Sequence, residues 1–243
     1  MKALITGASS GIGKDIAREM SNKGYDLILV ARREDRLIQL KEELNTNVEI
    51  IKMDLSSAEN CKKLYEQVSD VDILVNNAGF GVYGEFANND LNKELDMIDV
   101  NIVAVHTLTK LFLQDMMKKN KGQILNVASI GGFMPGPLMA AYYASKAYIV
   151  RLSEAIREEL RKEKSNVKIS ILCPGPVKTE FNKVSGGKFN VHSLSSSYVA
   201  KYAVNKMLKG KFVIVPGSLM KVVRFLTKIV PDNILSKFVY YVH

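Results

Sequence analysis

Short apolar runs recur along the chain at residues 3–6, 27–31, 48–53, 73–76, 124–128, 167–172 and 212–215. Each is too brief for a helix and predominantly apolar, the pattern of buried strands. Between them lie longer segments in which apolar residues return every three or four positions. Leu91, Leu95, Ile98, Ile102, Val105, Phe112 and Met116 form one such stripe, and Ile149, Leu152, Ile156 and Leu160 form another. Strand and helix alternating in this way predict a parallel sheet with right-handed crossovers and helices on both faces, a doubly wound α/β architecture. Ligands in such sheets bind at the carboxyl ends of the strands, where the winding reverses direction.

Composition adds exclusions. The 243 residues are 47% hydrophobic and 24% charged, with 16 Gly and 6 Pro, which rules out fibrous and disordered classes. No repeat or linker divides them, so residues 1–243 are expected to fold as one domain. Cys61 and Cys173 stand in no ligand-like spacing, and neither a disulfide framework nor a metal site is expected. With the first strand starting at Lys2, no secretory leader is expected and the chain is assigned to the cytoplasm. The net charge of +9 is unevenly spread: residues 1–120 carry 15 basic and 19 acidic side chains, residues 161–243 carry 15 basic and 3 acidic. The C-terminal third either meets something negative or is solvated lysine. It holds no recognised nucleic-acid motif, and nucleic acid is not an expected partner.

Directly after the first run comes Thr6-Gly7-Ala8-Ser9-Ser10-Gly11-Ile12-Gly13, followed by a helical pattern from Lys14. Glycines let the backbone approach a pyrophosphate without a Cβ in the way, and the helix offers free N–H groups and its positive dipole end. No Lys-Ser/Thr pair follows as in a P-loop, which argues against ATP or GTP hydrolysis. The second run ends in Ala31-Arg32-Arg33, where an NAD-binding domain would place a carboxylate. A carboxylate repels a 2′-phosphate, whereas a guanidinium binds it through paired charge-assisted hydrogen bonds, so NADP(H) is expected over NAD(H). The plainer alternative is a solvated helix start in which Arg32 and Arg33 pair with Glu34 and Asp35.

Tyr142-Tyr143-Ala144-Ser145-Lys146 opens the second amphipathic segment and puts Tyr142 and Lys146 on one helix face. A nearby ammonium favours the phenolate and draws a tyrosine pKa down from its ordinary value near 10. Tyr143 has Ala147 four residues on, and so no such tuner. Ser129 ends the fifth run, Asn76-Asn77-Ala78-Gly79 ends the fourth, Asn101 lies within the long helix between them, and Pro174-Gly175-Pro176-Val177-Lys178-Thr179 follows the sixth.

On these motifs the sequence closely resembles the short-chain dehydrogenase/reductase family over residues 2–215. The resemblance implies a Rossmann-type sheet of about seven strands in the order 3-2-1-4-5-6-7 and a homo-oligomer, dimer or tetramer. It implies that Tyr142 protonates a carbonyl oxygen, that Lys146 lowers the Tyr142 pKa and holds the nicotinamide ribose, that Ser129 binds the substrate oxygen, and that Asn101 holds a water linking Lys146 to solvent. For the cofactor it assigns Gly7, Ser9, Ser10, Gly11, Ile12 and Gly13 to the phosphates and Asp54 and Leu55 to the adenine. Asn77, Ala78 and Gly79 fall under the adenosine ribose, and Pro174, Gly175, Val177 and Thr179 at the nicotinamide end.

The polar, glycine-bearing stretch 180–197 corresponds to a substrate lid in that family, a plain surface connection being the alternative. Residues 217–243 read as two short amphipathic helices broken at Pro231, fit to cap the pocket, form a subunit contact or lie on a membrane; cap or contact is favoured. The expected function is NADPH-dependent reduction of a fairly apolar ketone, aldehyde or acyl derivative to an alcohol. The alternative is a regulatory or adaptor protein that binds NADP(H) and acts through its basic C-terminal surface.

Overall fold

Seven parallel strands form the central sheet: β1 (Lys2–Thr6), β2 (Asp26–Ala31), β3 (Val48–Lys52), β4 (Ile73–Asn76), β5 (Gln123–Val127), β6 (Lys168–Leu172) and β9 (Val213–Ile214). Their order is β3-β2-β1-β4-β5-β6-β9, as the resemblance implied. A separate parallel pair, β7 (Val177–Lys178) with β8 (Leu194–Ser195), was not foreseen. The structure, a computed structural model, describes residues 1–186 and 193–242. Of the stretch 180–197, residues 187–192, with Phe189, Val191 and His192, therefore lie outside the described residues.

The helices are α1 (Gly11–Ser21), α2 (Glu34–Glu42), α3 (Ala58–Gln67), α4 (Leu91–Ile98), α5 (Val105–Lys118), α6 (Ala140–Lys162), α7 (Phe181–Ser185), α8 (Ser196–Leu208), α9 (Ser218–Leu226) and α10 (Asp232–Val242). Alternation along the strands divides the core between the two faces. Ala3 and Ile5 of β1 join Ile16 and Met20 of α1 and Val199, Ala203 and Val204 of α8 on one side. Leu4 joins Leu64 of α3, Leu108 and Phe112 of α5 and Ile156 of α6 on the other. Each such side chain taken wholly out of water contributes about 1.5–3 kcal/mol.

One stripe departs from expectation. Residues 91–118 do not form one helix with one phase: a π-helical turn, Asp99–Ala104, separates α4 from α5. The wider turn shifts the helical phase, so Val105, Leu108 and Phe112 are buried while Leu91 and Leu95 are 66% and 48% exposed. The chain runs outward from β1 to β2 and β3, then crosses back to lay β4 on the other side of β1. The crevice where this reversal occurs opens at the carboxyl ends of β1 and β4.

Candidate active site

The ends of β1 and β4 are clasped together. The Thr6 hydroxyl donates to the Val75 carbonyl (3.3 Å) and accepts from the amides of Asn77 and Ala78 (3.0 Å each). The Asn77 side chain donates to the carbonyls of Thr6 (3.0 Å) and Gly7 (3.2 Å). Gly7 turns with φ +66, and a Cβ there would lie 2.8 Å from the Ala78 Cα. Gly13 stands behind the turn, where a Cβ would come within 2.5 Å of the Gly7 carbonyl oxygen. It lines no part of the crevice, so its expected place at the phosphates is corrected: it lets α1 pack directly on the turn.

Above the turn lies a cationic cluster that the sequence reading caught only in part. Arg33 donates to the Ser10 hydroxyl (2.8 Å), the Ser9 hydroxyl (3.2 Å) and the Glu180 carboxylate (2.8 Å). Arg36 donates to both Glu180 oxygens (2.8 and 2.9 Å). Held by Arg36 and Arg33, the Glu180 carboxyl titrates at about 2. Arg32 is more open, 3.9 Å from Asp54. The arginines thus pair with Glu180 and Asp54 rather than with Glu34 and Asp35. Arg36 was readable as the residue one turn after Arg33 on α2. Glu180, 144 positions beyond Arg36, left no local signal.

The four residues expected to carry the chemistry converge from three places: the end of β5, α6 and the π turn. Lys146 is 5% exposed, and its ammonium donates to the Val127 carbonyl at the end of β5 (3.0 Å). It sits 5.7 Å from the centre of the Tyr142 ring, one turn earlier on α6. The Tyr142 phenol shares a hydrogen bond with Ser129, whose Oγ also accepts from the Gly131 amide (3.1 Å). The expected lowering of the Tyr142 pKa is not what this arrangement gives. Burial pushes the phenol up to about 12 against the pull of Ser129, and the same burial brings Lys146 down to about 8. Tyr143, the rival hydroxyl, presses its ring on Gly131 and Gly136, a packing role.

Asn101 is fully buried on the π turn. Its amide nitrogen donates to the Phe80 carbonyl (2.9 Å) and to Ser145 Oγ (3.0 Å), and its oxygen accepts from the Phe80 amide (3.1 Å). Ser145 in turn donates to the Tyr142 carbonyl (2.6 Å). Both amide hydrogens are therefore engaged, and the Asn101 side chain ties Phe80 to the first turn of α6. The expected water-holding role does not fall to those hydrogens.

A single cavity of about 930 Å³ joins these parts. Its polar end is lined by Gly7, Ser9, Ser10, Gly11, Ile12, Arg32, Arg33, Asp54, Leu55, Asn77, Ala78 and Gly79. Its middle holds Ser129, Tyr142 and Lys146, with Pro174, Gly175, Val177 and Thr179 beside them. Its far end is apolar, walled by Met134, Met139, Phe181 and Val184 and by α9 and α10 through Met220, Val223, Leu235 and Val239. Phe181 lies 5.2 Å from Tyr142, ring centre to ring centre. Such a channel can seat a long anionic nucleotide at one end and an apolar substrate at the other, with a hydroxyl pair and an ammonium where they meet.

Residues 1–188 match the short chain dehydrogenase family, and the chain belongs to it. It is an oxidoreductase of that family. The sequence is 35% identical over 230 residues to a very-long-chain 3-oxoacyl-CoA reductase of Phaeosphaeria nodorum, a match covering 81% of this chain and 67% of that one. A short-chain dehydrogenase from Sphingobium yanoikuyae, solved with NADPH, superposes with a TM-score of 0.83 at 26% identity, over 95% of this chain and 96% of that one. A Burkholderia phymatum family member solved with NAD shares the fold, with a TM-score of 0.85 at 24% identity over 93% of this chain and 92% of that one.

Proposed function

We propose that this chain is an NADPH-dependent reductase that converts a carbonyl on an apolar, acyl-type substrate to an alcohol. The observation that carries the reading is the continuous cavity: cationic and glycine-lined at one end, apolar at the other, with Tyr142, Ser129 and Lys146 at the junction. The residues present fit the dinucleotide. The Gly7 turn passes so close to Ala78 that a Cβ would clash, and it lines the cavity with backbone alone; α1 opens without a side-chain cap on its first N–H groups, and Arg33 stands over Ser9 and Ser10 where a 2′-phosphate would be met.

Bound there, the reduced cofactor would supply the hydride. This chain's residues orient the carbonyl and handle its proton. Ser129 donates a hydrogen bond to the substrate oxygen, and Tyr142, which burial keeps protonated, gives that oxygen its proton. Lys146 supplies positive charge beside the phenolate that remains, and with the dinucleotide bound it would be the residue to hold a ribose hydroxyl. Phe181 and Val184 act as a lid on the apolar end, and the inner sides of α9 and α10 close it as a cap. The similarity to 3-oxoacyl-CoA reductases supports an acyl thioester as the substrate class. The test is a panel of ketones, aldehydes and 3-oxoacyl thioesters of increasing chain length with NADPH and with NADH, wild type against Tyr142→Phe. Activity absent across the panel, or equal in Tyr142→Phe, overturns the reading.

A further inference from the structure

The C-terminal helix pair has two sides of different use. Its inner side belongs to the body of the protein: Arg224 lies over the Phe133 ring at 3.6 Å, Met220 packs on Gly175, and Leu235 and Val239 are buried. Its outer side carries two rows of large apolar residues that stay exposed among the described residues. Val222 and Phe225 on α9 and Ile229 in the turn after it are spaced as i, i+3, i+7 and are 55%, 61% and 63% exposed. On α10, Ile234, Phe238 and Tyr241, spaced i, i+4, i+7, are 55%, 67% and 87% exposed. Six such exposed side chains on one helix pair exceed the scattered apolar residues a protein surface ordinarily shows.

Charge selects the occupant. Between residues 201 and 243 there are eight Lys or Arg and a single acidic residue, Asp232. Lys221, Lys228 and Lys237, all exposed, stand among or beside the apolar rows. A second copy meeting this face across a two-fold axis would bring those lysines against their own kind. An anionic bilayer answers both features, taking the apolar rows into its acyl boundary and the lysines at its headgroups. The rim of the cavity points the same way: Leu219, Leu226, Ile234 and Phe238 are exposed and also line the cavity, so apolar surface runs unbroken from outside to the site.

We propose that the outer face of α9 and α10 docks on an anionic membrane surface and sets the mouth of the cavity against the bilayer. This is monotopic contact; among the described residues no helix is long and apolar enough to cross a membrane. The inference stands whether or not the proposed substrate class is right, because its test reads lipid binding rather than turnover.

The experiment is flotation of the full chain with vesicles of phosphatidylcholine, with and without a minor fraction of phosphatidylglycerol, over a range of salt. The anionic vesicles are expected to bind at least about tenfold better at low salt, and the difference to fade as salt screens exposed charge. The triple variant Phe225→Ser/Ile229→Ser/Tyr241→Ser, none of whose residues lines the cavity, is expected to lose about tenfold or more in binding while keeping its melting temperature. Lys221→Glu/Lys228→Glu is expected to abolish the preference for the anionic lipid. Equal binding to both vesicles, binding to neither, or an undiminished triple variant overturns the proposal. So does a wild-type dimer that the triple variant converts to monomer while vesicles bind neither form.

Discussion

Replacing Arg33 by alanine removes a guanidinium already aimed at the turn, and the size of the loss follows from its partners. Arg33 rests on Ser10 and Ser9 and shares Glu180 with Arg36. A 2′-phosphate arriving there gains a charge-assisted hydrogen bond worth about 1.5–3 kcal/mol, tenfold to a hundredfold in affinity. Against this, the phosphate must take the guanidinium from the Glu180 carboxylate. Both partners are 42% exposed, and a pair so open contributes only about 0.2–1 kcal/mol. The net expectation is a loss of about tenfold in NADPH affinity in Arg33→Ala, with NADH affinity within about twofold of wild type. Glu180→Gln works in the opposite direction, freeing both arginines and tightening NADPH by about two- to fivefold without moving NADH. Titration of the bound reduced nicotinamide by fluorescence reads all four constants. Equal losses for the two cofactors in Arg33→Ala, or weaker NADPH binding in Glu180→Gln, would show that this cluster does not meet the 2′-phosphate.

Tyr142→Phe is expected to lower the reductase rate by ~10²–10⁴-fold while leaving NADPH affinity within a few-fold, checked by steady-state kinetics beside binding titration. Arg32→Asp, which sets a carboxylate beside the second-strand end, should erase the NADPH preference in the same titration. Lys146, held down to about 8, carries its charge below that pH and loses it above. Reduction is therefore expected to fall as pH rises through about 8, with a one-proton dependence in kcat/KM. Because that value lies below the ordinary 10.5, the folded chain binds fewer protons than the unfolded between the two, and stability should rise with pH across that window, a rise that Lys146→Met removes. Asn101→Ala leaves both Phe80 backbone groups and Ser145 short of a partner, a cost of ~2–4 kcal/mol that thermal melting should show as a drop on the order of 5–10 °C.

The sheet was legible because most of its strands are covered on both faces and so read as short apolar runs, although edge strand β3 leaves Glu49 and Lys52 exposed. The central strands were placed to within about two residues, and most of the expected site residues do line one cavity. What was not legible depends on interactions distant in sequence. Glu180 joins Arg33 and Arg36 only after the chain has wound through the whole sheet. The direction of the Tyr142 shift depends on burial, which the four-residue spacing to Lys146 does not report. The stripe from Leu91 to Met116 reads as one helix because periodicity alone cannot register the extra backbone in a π turn. The C-terminal pair was legible as amphipathic helices; that both its inner and outer sides are apolar emerged only with the fold.

That π turn at Asp99–Ala104 has a consequence for how the chain tolerates change in length. A π turn holds about one residue more than the α-helical turn it replaces. Deleting any one residue there would let the segment relax into an unbroken helix from α4 through α5, the two helices keeping their bearings because the turn has lost its extra residue. The residues left inside the turn would be the ones to move, by up to about 100° about the axis where they shift by one place. Asn101 would be displaced from Phe80 and Ser145. The deletion would thus favour the local helix while dismantling the site, so a gap of one residue is expected to be far less acceptable at this turn than most substitutions in it. Length, rather than side-chain identity alone, is what keeps the Asn101 amide at its station.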